Sequence, residues 1–84
     1  MPFLVHTPAG LKEAIAVADG DQAIWCFSSA LTKVDFATSG RGNLTRFDWT
    51  PSDDGFSEAI ARAVATVQEH HPGQSVWVEH VSRA

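Results

Sequence analysis

The feature that most constrains this chain is a run of five apolar residues, Ala23 to Phe27, with no polar position inside it. A strand with one face in water alternates polar and apolar residues. An uninterrupted apolar strand is instead typical of the middle of a sheet that is covered on both faces. The run therefore predicts a central strand over residues 22–28, with the core built around it.

Two other segments have the spacing of amphipathic helices. In the first, apolar residues recur from Leu11 to Ala18 at helical spacing. Thr7 and Pro8 before it are typical of an N-cap followed by proline in the first turn. Gly20 after it is suited to a left-handed cap, so we expect the first helix to end there.

The second helical segment has the stronger pattern. Apolar residues recur at helical spacing from Phe56 to Val67. The preceding stretch, residues 50–53, has a capping-box pattern with proline in the first turn, which predicts where the helix begins. The sequence His70-His71-Pro72 predicts its end, because proline cannot continue the helical hydrogen bonds.

The remaining segments are interpreted as strands and turns. Residues 3–6 predict a first strand and residues 76–81 a last one. Val34 and Phe36 alternate with polar residues, which favours a strand over residues 32–37, and residues 44–50 alternate in the same way. The glycine-rich stretch between them, residues 38–43, is typical of a hairpin loop.

These elements predict an α+β fold in which residues 1–84 form a single domain. The expected order is β-α-β-β-(β)-α-β. It forms a two-layer sandwich, with a mainly antiparallel sheet of four to five strands and two helices on one face. A ferredoxin-like variant is the nearest known arrangement. The predicted strands at 22–28 and 32–37 are alternatively one long bent strand.

The charge balance bears on one class of function. Ten acidic residues against six basic ones give a net charge of −4, which argues against a nucleic-acid binder that works through a basic surface. The single cysteine, Cys26, has no partner for an internal disulfide, which favours a reducing cytoplasm. With neither a basic leader nor a long apolar window, we expect a complete small cytoplasmic protein that makes no membrane contact.

The residues that invite a metal or catalytic hypothesis have structural explanations. His70 and His71 are adjacent on a helix, so their side chains point about 100° apart and favour the helix C-terminus instead of one shared metal. His6 and His80 become neighbours only if the terminal strands pair. Cys26, inside the apolar run, is expected to be a buried structural thiol. We expect no catalytic residues, no metal and no cofactor.

The one basic stretch of the chain leaves two interpretations open. The sequence from Gly40 to Asn43 contains flexible backbone amides and Arg41, which suit an anion. Hairpin turns use the same residues for their backbone angles. Arg41 is therefore a separate, secondary candidate for partner binding.

An acidic stretch with an aromatic residue is the main candidate for a contact surface. Four acids lie between residues 47 and 61, before the first base at Arg62. They stabilise a helix N-terminus, or they form a patch that docks a basic partner. Trp49 beside them is either an interface anchor or a lid over the core. The predicted partner-binding residues are Asp48, Trp49, Asp53, Asp54 and Glu58, with Arg41.

This profile of short length, acidic balance, acidic patch and lack of a catalytic motif resembles the small phage-encoded inhibitor proteins, anti-CRISPR proteins among them. The resemblance covers the whole chain and has no motif. It implies a viral, non-enzymatic inhibitor that docks on a nucleic-acid-binding effector protein, such as a CRISPR effector subunit, through that protein's basic surface. It would contact no nucleic acid itself, and would be a monomer or a homodimer.

Two alternatives belong to other classes of function. A ferredoxin-like dimer that binds a small ligand or acts as an enzyme would use Cys26, His6 and His80 around a pocket between subunits. A structural or regulatory subunit would instead self-associate through an edge strand of its sheet.

Overall fold

The computed structural model describes residues 1–52 and 54–79, and within them the chain alternates strands and helices. The elements are β1 (Phe3–Val5), α1 (Pro8–Val17), β2 (Ile24–Cys26), α2 (Lys33–Thr38), β3 (Leu44–Arg46), α3 (Phe56–His70) and β4 (Trp77–Val78). The strands form one sheet in the order β3-β2-β1-β4. Each neighbouring pair is parallel.

The expectation of helices and strands in an α+β chain is confirmed, but the mainly antiparallel sheet is wrong. In the sheet, Trp25 lies between Leu4 of β1 and Thr45 of β3. Parallel neighbours need a crossover connection, and each helix here provides one. The chain lays β1, β2 and β3 side by side, then returns through α3 to place β4 on the other side of β1.

The two-layer sandwich with both helices on one face is also wrong, because the sheet has a core on each face. Phe3, Val5, Ile24 and Cys26 point toward α1 and α2, where Leu11 and Ala14 pack against them. The intervening residues Leu4, Trp25 and Phe27 point the other way, toward Ala63 and Val67 of α3. Successive side chains of a strand alternate between faces, so the apolar run of β2 supplies both cores.

The largest difference in secondary structure concerns residues 32–37: Thr32 is an N-cap, and residues 33–37 belong to helix α2 instead of a strand. The Thr32 side chain caps this helix by accepting a hydrogen bond from the backbone N–H of Asp35 at 3.1 Å. Phe36 packs against the core, while Val34 is 72% exposed. The stretch after α2 is therefore a helix-to-strand connection and not a hairpin loop. Gly40 in it has a positive φ of 67°.

The start of α1 is confirmed and its predicted end is wrong. Thr7 is the N-cap, its hydroxyl accepts from the Gly10 N–H at 3.0 Å, and Pro8 occupies the first turn. The helix ends at Val17, where Ala18 leaves in an extended conformation. Gly20 adopts no left-handed conformation, so it is not the cap.

The end of α3 is confirmed and its predicted start is wrong. The helix ends at His70, before Pro72. It begins only after Gly55, which is left-handed with φ of 80° and provides no side-chain cap. Residues 50–52 therefore lie before the helix, and Asp53 lies outside the described residues.

The strands are shorter than predicted. The first, second, third and last observed strands lie inside the predicted segments 3–6, 22–28, 44–50 and 76–81. The part of the last prediction that covers residues 80 and 81 lies outside the described residues. Short strands suffice here because neighbours on both sides hold β1 and β2.

Candidate functional site

The residues that follow the parallel strands meet at one edge of the sheet. Because all strands run the same way, their carboxyl ends bring together His6 and Thr7 after β1, Ser28 after β2, Trp49 just beyond β3 and Glu79 after β4. In open parallel sheets this is the edge where ligands bind, above all where the strand order reverses. This edge is therefore the expected place for a functional site.

Trp49 is an exposed but well-fixed aromatic side chain at this edge. Its ring packs edge-on against Phe27 at 5.0 Å and against Phe47 at 5.5 Å between centroids. Its carbonyl accepts from the Ser28 N–H at 3.1 Å, and the hydroxyls of Ser28 and Thr50 are hydrogen-bonded to each other. With 38% of its surface exposed, Trp49 presents one face outward from a rigid base.

The structure brings three of the predicted contact residues to one cleft. Trp49, Asp54 and Glu58 line a cleft of about 250 Å³ at the start of α3, and Arg62 from the next turn shares it. Glu58 lies in the first turn of α3, where an acid is stabilised by the helix dipole. Asp54 and Glu58 are both exposed, so their carboxylates face solvent beside the indole.

Asp48 lies one residue before Trp49 and is partly compensated. Its carboxylate accepts from a terminal guanidinium nitrogen of Arg46 at 3.1 Å. Arg46 is itself held by a bond of 2.7 Å from Nε to the Leu31 carbonyl. The Asp48 side chain remains 85% exposed, so it extends the acidic surface with less net charge than Asp54 or Glu58.

Arg41 is not brought to this site. It precedes β3, so it lies at the amino edge of the sheet, while Trp49 follows β3 at the carboxyl edge. It is exposed, and its N–H is 3.4 Å from the Ser39 hydroxyl that accepts it. The secondary candidate therefore stands apart from the acidic residues.

A carboxylate that the sequence reasoning missed lies where the strand order reverses. Glu79 accepts hydrogen bonds from the His6 N–H at 2.8 Å, the Thr7 N–H at 3.0 Å and the Thr7 hydroxyl at 2.5 Å. Gly10 of α1 packs so closely on this carboxylate that a Cβ there would overlap it. The start of α1, a usual place for a bound anion, is thus occupied by the chain's own side chain.

The surroundings of Glu79 favour its charged form. Burial alone raises the pKa of this carboxyl. The hydrogen bonds from the Thr7 hydroxyl and from the backbone of His6 and Thr7, with a smaller contribution from the His6 ring, lower the pKa below its usual 4.5. In the sequence, Glu79 is a single acid that follows the apolar residues Trp77 and Val78. Its proximity to His6 and Thr7 follows only from the parallel pairing of β4 with β1.

The residues of the alternative catalytic interpretation are not gathered into a site. Cys26 is buried, as expected, and points toward α1 and α2. Burial raises the pKa of its thiol to about 11, and Arg46 only partly offsets this. His6 packs edge-on against Phe56 of α3 at 5.5 Å, on the other face. His80 lies outside the described residues.

The two adjacent histidines end α3 as expected, but they also contact the core. The centroid of the His70 ring lies 5.2 Å from that of Trp25, and the centroid of the His71 ring lies 6.3 Å from it. His70 Nδ1 is 3.0 Å from the Thr66 carbonyl. Within residues 1–52 and 54–79, no three histidine, cysteine or acidic side chains are grouped as metal ligands.

Comparisons with known proteins add no relative. The chain matches no protein-family model, and no curated protein or solved structure is similar to it. In the described part of the chain, no helix is both long enough and apolar enough to cross a membrane.

Proposed function

We propose that this protein is a non-enzymatic binding module that docks on a basic surface of another protein. The docking surface comprises Asp48, Trp49, Asp54 and Glu58 and is called the acidic edge surface below. The observation that carries the proposal is the partly exposed Trp49 ring, which is fixed against Phe27 and Phe47. Two carboxylates and one arginine share its cleft. A rigid aromatic anchor within a charged border is the usual composition of an interface hot spot.

The rigidity of Trp49 matters because binding costs conformational freedom. A side chain that is already held loses little entropy when a partner covers it. Both the ring contacts and the Ser28 N–H bond hold Trp49 in place before any partner arrives. The inner face of Trp49 covers the buried Phe27, and the exposed part of the ring is the part that a partner would contact.

The carboxylates of the surface determine which kind of partner it attracts. Asp54 and Glu58 lie exposed beside the ring, and the whole chain carries a net charge of −4. Such a surface attracts a basic patch, speeds encounter and loses strength as salt is added. A protein whose basic surface otherwise holds nucleic acid has the complementary charge.

Two observations favour a macromolecular partner over a small ligand at this edge. The cleft beside Trp49 is about 250 Å³, below the usual 300–1,000 Å³ or so of small-molecule sites. The crevice at the reversal of strand order is filled by Glu79. This edge therefore presents an open surface with one exposed aromatic side chain, Trp49.

The finer proposal is that docking inhibits the partner. Covering a basic surface with carboxylates prevents phosphates from reaching it, as expected of an anti-CRISPR or a similar small phage protein acting on a nucleic-acid-binding effector. The charge and size of the chain support this interpretation. The identity of the captured partner decides it.

Site-specific photo-crosslinking tests the docking surface. A photoreactive phenylalanine replaces Trp49 in one protein and Val34 in a control, because Val34 is 72% exposed on α2 and is not part of the acidic edge surface. We expect one protein from host extract to be crosslinked from position 49 and not from position 34. Equal crosslinking from both positions, or from position 34 alone, would overturn the proposal.

A further inference from the structure

A second cleft lies at the opposite, amino edge of the sheet, between the start of β3 and the end of α3. Its volume is about 420 Å³, and it is lined mainly by Trp25, Asn43, Thr45, His70 and His71. This volume falls within the range of small-molecule sites. The acidic edge surface contributes no residue to it.

The walls of this cleft are aromatic. The Trp25 ring lies 5.2 Å from His70 at a tilt of 56°, and 6.3 Å from His71 in an edge-on arrangement. His70 is exposed and His71 is half-buried, whereas Trp25 is only 7% exposed. The two histidine rings, backed by the buried Trp25, are the ones available to stack on a planar ligand, a contact that tolerates many ring types.

The Trp25 indole also has an unused hydrogen-bond donor. Its N–H is buried, and no acceptor in the described part of the chain takes it. Buried polar groups nearly always have a partner, so this donor is free for an acceptor from outside the described chain, which a water or a ligand atom can supply. Because the nitrogen is covered, a ligand reaches it only after a lining side chain rotates.

The polar groups of the cleft are held in defined orientations. The Asn43 amide donates to the Gln22 carbonyl at 2.9 Å, which leaves one N–H and the amide oxygen unused. The His70 Nδ1–H donates to the Thr66 carbonyl at 3.0 Å, which fixes the orientation of this ring. The cleft therefore offers an unused amide N–H and an amide oxygen of Asn43 beside its histidine rings.

We propose that this cleft binds a purine base, with adenine as the best match. The unused N–H and oxygen of Asn43 match the N7 acceptor and the N6 donor of adenine. The base stacks on the histidine rings, and a further ring nitrogen accepts the Trp25 N–H. The uncharged nucleoside is the appropriate probe, because the net charge of −4 repels phosphates.

Adenosine titration followed by NMR of the indole N–H signals tests the proposal. The chain has three tryptophans, and the variants Trp49→Phe and Trp77→Phe assign the signals by removing one each. We expect the Trp25 signal to shift progressively with millimolar adenosine, while the Trp49 and Trp77 signals stay in place. No shift of Trp25, or an equal shift of all three signals, would overturn the proposal.

Two substitutions at one position separate stacking from a general effect on the fold. His71→Ala removes a stacking ring and is expected to weaken adenosine binding about fivefold or more. His71→Phe keeps a ring and is expected to bind close to the wild-type level. Equal affinities of the alanine and phenylalanine variants, or equal shifts with ribose alone, would contradict the proposal. Trp49→Phe, at the other edge, is expected to leave adenosine binding unchanged.

Discussion

Glu79 and Thr7 are joined by two hydrogen bonds, from the Thr7 N–H at 3.0 Å and from its hydroxyl at 2.5 Å. Thr7 is also the N-cap of α1. The residue after the last described strand is therefore bonded directly to the start of the first helix. This contact ties β4, a strand of two residues, to the centre of the sheet.

Glu79→Gln should destabilise the protein. The amide keeps the shape of the carboxylate, but it accepts fewer hydrogen bonds and carries no charge for the Thr7 and His6 donors. We expect a loss of about 1–3 kcal/mol in the free energy of unfolding, measured by urea denaturation. Glu13→Gln, at an exposed position of α1, is the matched control and should change little. Equal stability of the two variants would contradict the role of Glu79.

The same carboxylate predicts a pH dependence of stability. Its pKa is lowered in the folded protein from the ordinary 4.5, so the unfolded chain binds more protons between the two values. The stabilisation by Glu79 is complete above the pKa that this carboxyl has in the unfolded chain. It is lost as pH falls through the lower pKa that the carboxyl has in the folded protein. Urea denaturation from neutral pH down to about pH 3 should show a steeper loss in the wild type than in Glu79→Gln. Parallel curves would contradict the assignment.

Gly10→Ala tests the close packing between α1 and Glu79. Alanine favours a helix by about 1 kcal/mol over glycine, but its Cβ would overlap the Glu79 carboxylate and displace it from its hydrogen bonds. We expect a net loss of about 1 kcal/mol. In a Glu79→Ala background the same change should become stabilising.

Gly20→Ala is the control for that series. A Cβ at Gly20 meets nothing within 4 Å, and its φ is not positive. Its stability should stay within about 0.5 kcal/mol of the wild type. Additive effects of Gly10→Ala and Glu79→Ala in the double variant would show that the two residues do not interact.

Cys26 should be unreactive in the folded protein. Burial raises the pKa of its thiol to about 11, so little thiolate exists at neutral pH and reagents have no access. We expect modification by iodoacetamide only under unfolding conditions, at a rate that follows the urea transition. Fast modification of the native protein would contradict the placement of Cys26 in the core between β2 and α1.

Much of the fold was predictable from local patterns, but the sheet direction was not. The Thr7-Pro8 cap and the stop at His70 depend on local chemistry and were correct. The run from Ala23 to Phe27 indicated a strand covered on both faces, which itself favours a parallel sheet with helices on each side. The interpretation of residues 32–37 as a strand hid this, because it removed the helix that connects β2 to β3.

Residues 32–37 were ambiguous for a physical reason. Val34 and Phe36 are two apart, as in a strand, yet only Phe36 meets the core. In the structure, the Thr32 side chain caps the helix by accepting one backbone N–H. Threonine is also common in strands, so its presence in the sequence did not distinguish a helix from a strand. The helix is selected by tertiary packing, which cannot be read from a local sequence pattern.

Only part of the candidate site was predictable: Trp49, Asp54 and Glu58 line one cleft, whereas Arg41 lies at the other edge of the sheet and Glu79 was missed. The proximity of Trp49 to Asp54 and Glu58 along the chain was enough to place them together. Glu79 and His6 are 73 residues apart, and they meet only because β4 pairs with β1. The cleft around Trp25 likewise depends on the return of α3 across the sheet.

Charge reversal on the acidic edge surface tests the central claim most directly. The variant Asp54→Lys/Glu58→Lys is compared with Asp19→Lys/Asp21→Lys, an equal reversal at exposed acids on the opposite edge. Affinity for the crosslinked partner is measured by calorimetry at low and high salt. The account predicts that the first variant binds at least about tenfold more weakly and loses its salt dependence, while the second retains both. Equal affinity of the two variants would contradict docking through the acidic edge surface.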